Sequence, residues 1–270
     1  FAALLLVVAM TFGMVACSSS DKKEESTKKE TKTEEKSTKK LDGTLKVVTT
    51  GDAYQPLFDK FTEEVGPKVE FISMSSGEVL SKLKAEGGTP AADLWFGGGI
   101  DAFMDAKDND LLEKVDFDAA DELAPEFKDS DNYWFSKGVT VVGFIVNNDI
   151  LKEKGLEAPK SWDDLTKEEY QGEVLMSNPA ISGTNYAVVN ALLQTKGDEE
   201  GWKYFEALNK NVDYYSKRGS DPSTKTAAGE VGIGITYING TLDELKEQAD
   251  VDVIYPEDGM PYVPEGVAAF

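Results

Sequence analysis

The sequence contains no histidine and a single cysteine, Cys17, in 270 residues. Without histidine there is no Ser-His-Asp triad, no Cys-His pair and no histidine-held zinc. One cysteine excludes an internal disulfide and any multi-cysteine metal site. Positive charge is scarce too: 28 Lys and Arg stand against 50 Asp and Glu, for a formal charge of −22. A nucleic-acid binder needs a basic face, so this balance argues against one. What is present is a globular composition. Hydrophobic residues make up 40%, too many for a chain disordered throughout. The length allows one large domain or two smaller ones.

Residues 1–16, FAALLLVVAMTFGMVA, are uncharged and apolar. A membrane-spanning helix needs about 20 such residues, so the run is too short to span and fits a signal-peptide core. It ends at Met14-Val15-Ala16-Cys17 and gives way to Ser18-Ser19-Ser20. This resembles a bacterial lipobox, with Met14 where that pattern prefers Leu and Cys17 as the lipidated residue. Residues 18–40 hold eight lysines and six acids and no apolar side chain. Nothing there offsets the entropy of ordering, so a disordered polar tether is expected over residues 18–42. A solvated Glu/Lys helix would serve the same spacing role. The chain starts on Phe1 rather than Met and stops in a strand-like YVPEGVAAF. Further residues are therefore expected at both ends.

From Leu45 short apolar runs alternate with amphipathic stretches. LKVVTT, VEFISMS and ADLWFGGG are strand-like, and YQPLFDKFTEEVG, EVLSKLKAEGG and DAFMDAKDNDLL have helical spacing. That β-α-β-α-β-α rhythm predicts a parallel sheet covered by helices. After Asp129 comes a long β-rich run containing Gly143, then a second α/β unit that returns near Tyr255. In open α/β sheets the ligand sits beyond the carboxyl ends of the strands. Four such ends carry small polar segments that open helices: Thr49-Thr50-Gly51, Ser75-Ser76-Gly77-Glu78, Gly97-Gly98-Gly99-Ile100-Asp101 and Ser182-Gly183-Thr184. Any one of them is an ordinary helix cap. Four at equivalent positions indicate a cleft whose helix N-termini suit an anion. Gly219-Ser220-Asp221-Pro222-Ser223, with Arg218 beside it, is a further opening of this kind.

The strings GEVLSKLKAEGGTPAADLWFGGGIDAFMDA, VGFIVNNDIL, SWDDLTKEEYQGEVLMSNPAISGTNYAVV, GEVGIGITY and IYPEDG resemble the type II periplasmic solute-binding proteins of ABC importers, in the ferric-ion and sugar-phosphate branch. The resemblance spans residues 45–270. It implies an α/β fold of two lobes, each a mostly parallel sheet covered by helices, joined by hinge strands. Lobe 1 is expected over residues 43–143, lobe 2 over 144–252, and a return to lobe 1 over 253–270, with residues 1–17 as the lipoprotein signal. The implied function is capture of a small ligand between the lobes and delivery to an ABC permease. The implied partners are that ligand, the permease and the membrane reached through the lipid anchor. No nucleic acid and no cofactor are expected, and the protein is expected to be an extracytoplasmic monomer rather than an enzyme.

The ligand has two readings at this point. Ferric-binding members use adjacent tyrosines on the strand after a Gly-x-Gly segment. Here that strand supplies Tyr237, and Ile238 takes the second place. Tyr237 and Glu78 would be the iron ligands. Tyr214-Tyr215 lies one element too early, and strand alternation would send one ring to the core and one to the surface. The other reading is an oxyanion such as an organophosphate. Its binding residues would be Thr50, Gly51, Ser75, Ser76, Gly77, Gly98, Gly99, Asp101, Ser182, Gly183, Thr184, Ser220, Asp221 and Tyr237, with Ser182-Gly183-Thr184-Asn185 as the main cradle. The competing classes are an enzyme acting on a small anion through Glu78, Asp101 or Glu230, and a surface adhesin lipoprotein. WFGGGID lacks the spacing and lysine of a dinucleotide or P-loop motif.

Overall fold

The computed structural model describes residues 40–87 and 91–270. The expected signal segment, Cys17 and most of the expected tether lie outside the described residues. Of the tether's last residues, Leu41 donates its N–H to Val65 O at 2.8 Å, so the chain is already tied to the body there.

The first half follows the predicted alternation. Strand β1 (Thr44–Thr49), helix α1 (Gln55–Val65), β2 (Lys68–Ser73), α2 (Ser76–Ala85), β3 (Leu94–Gly99) and α3 (Ile100–Asp108) come in turn. β1 lies between β2 and β3 and pairs with both in parallel. Their core gathers Val48, Leu83, Trp95, Phe103 and Trp134. The Trp95 and Phe103 rings stack at 4.0 Å. On α1 the predicted apolar face is only partly covered: Phe58 is buried, but Leu57 is half exposed.

A thirteen-residue strand, β4 (Phe135–Asn147), then leaves this body. The second half holds α4 (Asn148–Lys154), β5 (Val174–Ser177), α5 (Gly183–Lys196), α6 (Asp198–Asn209), β6 (Val212–Ser216), α7 (Asp221–Ala227), β7 (Ile233–Tyr237), α8 (Thr241–Gln248) and β8 (Val251–Ile254). β5 pairs in parallel with β6 and β7. A second core forms around Phe144, Trp162, Leu165, Tyr170, Val188 and Ile233. The last strand, β9 (Tyr262–Ala269), returns to the first body and runs antiparallel between β3 and β4.

β4 is thus shared. Residues 135–141 pair with β9, and residues 142–147 pair with β7 and β8. Gly143 sits where this exchange occurs. A Cβ there would lie 2.7 Å from Ile254 O and from the Ile238 side chain, so no larger residue fits without displacing the strand. Two lobes, each with its own core, are joined through the same strand. The Tyr214-Tyr215 expectation is corrected: β6 ends the sheet, and neither tyrosine is in the core, with 37% and 43% of their surface exposed. Their hydroxyls donate to Glu230 and Asn209.

Candidate functional site

One cavity of about 230 Å³ lies where the carboxyl ends of the strands from both lobes meet. Eleven of the predicted binding residues line it: Thr50, Gly51, Ser75, Ser76, Gly98, Gly99, Ser182, Gly183, Thr184, Ser220 and Tyr237. Local rules bring them there. β1 and β3 end in Thr-Gly and Gly-Gly. Ser75 and Ser182 are the N-caps of α2 and α5, in extended backbone. The first N–H groups of a helix have no acceptor within it, so Gly183 and Thr184 present unpaired donors and a partial positive charge. Gly98 has φ +100°, and a Cβ on it would lie 2.8 Å from Ser76 Cβ. Only glycine allows that approach.

Four predicted residues point elsewhere. Glu78 Oε2 accepts from Ser75 N at 2.9 Å, closing a capping box on α2. Its carboxylate is spent on the helix end and does not line the cavity. Asp221 Oδ2 accepts from Arg218 N at 2.9 Å. Gly77 and Asp101 border a separate cleft of about 210 Å³ between the lobes.

Sequence reasoning missed a charged group at the cavity's other end. Lys137 forms an ion pair with Glu265, and its Nζ donates to the Tyr54 hydroxyl at 2.8 Å. Thr140 Oγ1 donates to the second oxygen of Glu265. The Lys137 ammonium also stands 4.6 Å from the centre of the Tyr54 ring. Burial alone would push Lys137 down, but Glu265 and Tyr54 outweigh it and hold the ammonium above the ordinary lysine range. Burial would likewise push Glu265 up, and Lys137 with Thr140 holds it below the ordinary range instead. Lys137 and Glu265 are the single charged residues of β4 and β9. A lone charge in an otherwise uncharged strand was the available signal.

The lobes touch directly beside the cavity. Gly77 N donates to Ile181 O at 3.0 Å. The Arg218 guanidinium donates to Ser73 Oγ at 2.8 Å, and Ser75 Oγ donates to Lys217 O at 3.4 Å. Arg218 also lines the cavity. Burial pushes the Tyr237 phenol above its ordinary range, against the opposing effect of a Ser220 hydrogen bond. Phenolate formation is therefore disfavoured. Asn185, in the first turn of α5, is fully buried, and neither its amide oxygen nor its nitrogen has a partner. Among the described residues no cluster of three or more acidic or cysteine side chains could hold a metal ion. No described helix is long and apolar enough to cross a membrane.

These features can be set beside known proteins. A profile for bacterial extracellular solute-binding proteins matches residues 90–268, and the chain belongs to that family. The structure of the periplasmic binding protein AfuA from Actinobacillus pleuropneumoniae, with exogenous fructose-6-phosphate bound, superimposes with a TM-score of 0.78 at 30% identity, covering 84% of this chain and 73% of that one. An uncharacterized protein of Haemophilus influenzae is 32% identical over 213 residues, which are 77% of this chain and 62% of that protein. An Fe(3+)-binding periplasmic protein of Serratia marcescens is 28% identical over 180 residues, 66% of this chain and 52% of its own length. The chain spans about three fifths of the length of the curated relatives it matches first. The fold is the two-lobed architecture of the periplasmic binding proteins, and these relatives are binding proteins rather than enzymes where their role is stated.

Proposed function

We propose that the chain captures a small organophosphate between its lobes, outside the cytoplasm, and hands it to the permease of an ABC importer. One observation carries the ligand class. Helix-opening segments from both lobes, Ser75-Ser76 and Ser182-Gly183-Thr184, converge with Arg218 on one cavity. Preorganised N–H donors and hydroxyls beside a cationic residue are the chemistry of an oxyanion site. Among the described residues the only carboxylate lining the cavity, Glu265, is already paired with Lys137. The volume is below that of a site for drug-sized ligands, roughly 300–1,000 Å³. Fructose 6-phosphate in AfuA and the name of the Serratia relative supply the two ligands to test. Ferric iron is the second reading, supported by that relative. It is weakened here because Glu78 caps a helix, burial raises the Tyr237 phenol and Ile238 replaces a second tyrosine.

The proposed lobes are residues 43–143 and 144–252, with residues 253–270 returning to the first. Isothermal titration with fructose 6-phosphate and with ferric citrate tests the ligand. Iron binding with a visible tyrosinate band that disappears in Tyr237→Phe would overturn the organophosphate assignment. A ligand held by the folded form alone stabilises it by RT ln(1 + [L]/Kd), about 2.7 kcal/mol at 100 Kd. Saturating fructose 6-phosphate is thus expected to raise the melting temperature and to compact the X-ray scattering profile. A higher melting temperature without compaction would count against closure of two lobes.

The membrane arm of the proposal rests on Cys17, the sole cysteine, at the end of an apolar run. Lipidation there would hold the protein at the cell membrane by its acyl chains. Cys17→Ala is expected to move the protein from the membrane fraction to the soluble fraction. A variant that sediments with membranes as fully as the native chain would show the anchor reading to be wrong.

A further inference from the structure

Asp101 has no place in the cavity, yet it stands on the seam that closing creates. It lies in the first turn of α3, on the first lobe. It borders two clefts whose opposite walls come from α5 of the second lobe: one of about 370 Å³ with Asn190 and Ala191, and one of about 210 Å³ with Tyr186. Its Oδ2 is buried and has no hydrogen-bond partner. A carboxylate oxygen out of water and without a donor is a costly group. The titratable groups facing these clefts are Asp105 and Tyr186 on one side and Asp258 and Tyr262 on the other. None of them is cationic. Asp105 is engaged with Lys84 at 2.9 Å, and Asp258 accepts from Trp162 N at 3.0 Å.

We infer that Asp101 is a positioning residue that sets the balance between open and closed lobes, because closing against α5 buries its carboxylate oxygen without a partner. The inference rests on lobe closure and not on which ligand the cavity takes. Burial as the leading cause pushes this carboxyl above its ordinary 3.8, only partly opposed by its own backbone N–H, in agreement with the geometry. The sign follows from linkage. Well below the ordinary range both forms are protonated, and the residue does not oppose closing. As pH rises the open form ionises first, and closing must then take up a proton or bury a charge. Closure is therefore favoured as pH falls through and just above the carboxylate range. At neutral pH the residue holds affinity below what the same cavity would reach with a neutral side chain.

The test uses the ligand-free chain with spin labels at Lys60→Cys and Lys203→Cys, one on each lobe, in a Cys17→Ser background. The distance distribution is recorded from the ordinary carboxylate range up to neutral pH. The closed fraction is expected to rise as pH falls. In Asp101→Asn it should be higher at neutral pH and insensitive to pH, and Asp101→Ala should behave alike if the amide disturbs folding. Fructose 6-phosphate at neutral pH should bind Asp101→Asn more tightly than the native chain. A pH profile that survives in both variants, or lobes that stay open at every pH in native and variant chains alike, would overturn the inference. Failure of native protein to bind fructose 6-phosphate would sink the organophosphate assignment and leave the distance measurement to decide on Asp101.

Discussion

Lys137→Met is expected to destabilise the protein by roughly 1–3 kcal/mol at neutral pH, between the worth of an exposed pair and the cost of breaking a fully buried one. The side chains of Lys137 and Glu265 keep 19% and 22% of their exposure, so solvent screens the pair in part. Removing the ammonium leaves Glu265 with Thr140 and the Tyr54 hydroxyl as its remaining donors. In the native chain Glu265 is held below its ordinary range, so its contribution to stability is present above that range and lost as pH falls through the lowered value. In the variant the sign reverses, because burial now dominates and raises the carboxyl. The deficit should therefore shrink as the pH is lowered. Urea midpoints at neutral and mildly acidic pH would show this, and Glu265→Gln added to Lys137→Met should recover much of the loss. A Lys137→Met midpoint equal to the native one at neutral pH would remove the pair from the account of stability.

Thr184→Ala is the variant with the largest expected effect on ligand affinity. Thr184 is the second residue of α5, and its Oγ1 would lie 2.5 Å from a Cβ on Gly219, so helix start and loop close on the cavity together. Losing a hydroxyl donor to a charged acceptor costs roughly 1.5–3 kcal/mol, or about 10- to 150-fold in Kd. Tyr237→Phe should change Kd for fructose 6-phosphate little, since a protonated phenol supplies one neutral hydrogen bond at most. Calorimetric titration of both variants separates the two ligand readings. A Thr184→Ala protein that binds fructose 6-phosphate as tightly as the native chain would show that the α5 N-terminus is not the phosphate cradle.

The α/β class, the alternation of the first half and the helix-opening segments were legible because they rest on short-range rules. Period-2 and period-3.6 patterns mark β1, α2 and β3. Small polar caps such as Ser75 and Ser182 mark where helices begin, and strand ends in such folds face the ligand. Those rules depend on residues a few positions apart, and one sequence displays them.

The partners of β9 were decided only in three dimensions. It could have extended either lobe, and its antiparallel insertion between β3 and β4 is what brings Glu265 to Lys137, 128 residues away. The same holds for side chains that compete for local partners. Glu78 and Asp221 stand in segments that suit a ligand, yet backbone N–H groups a few residues away capture both carboxylates. Asp101 belongs to a binding segment by sequence and to the lobe seam by structure. A β-strand specifies which face its side chains take, but not which strand comes alongside, because that choice is made by the burial of whole faces rather than by any local residue.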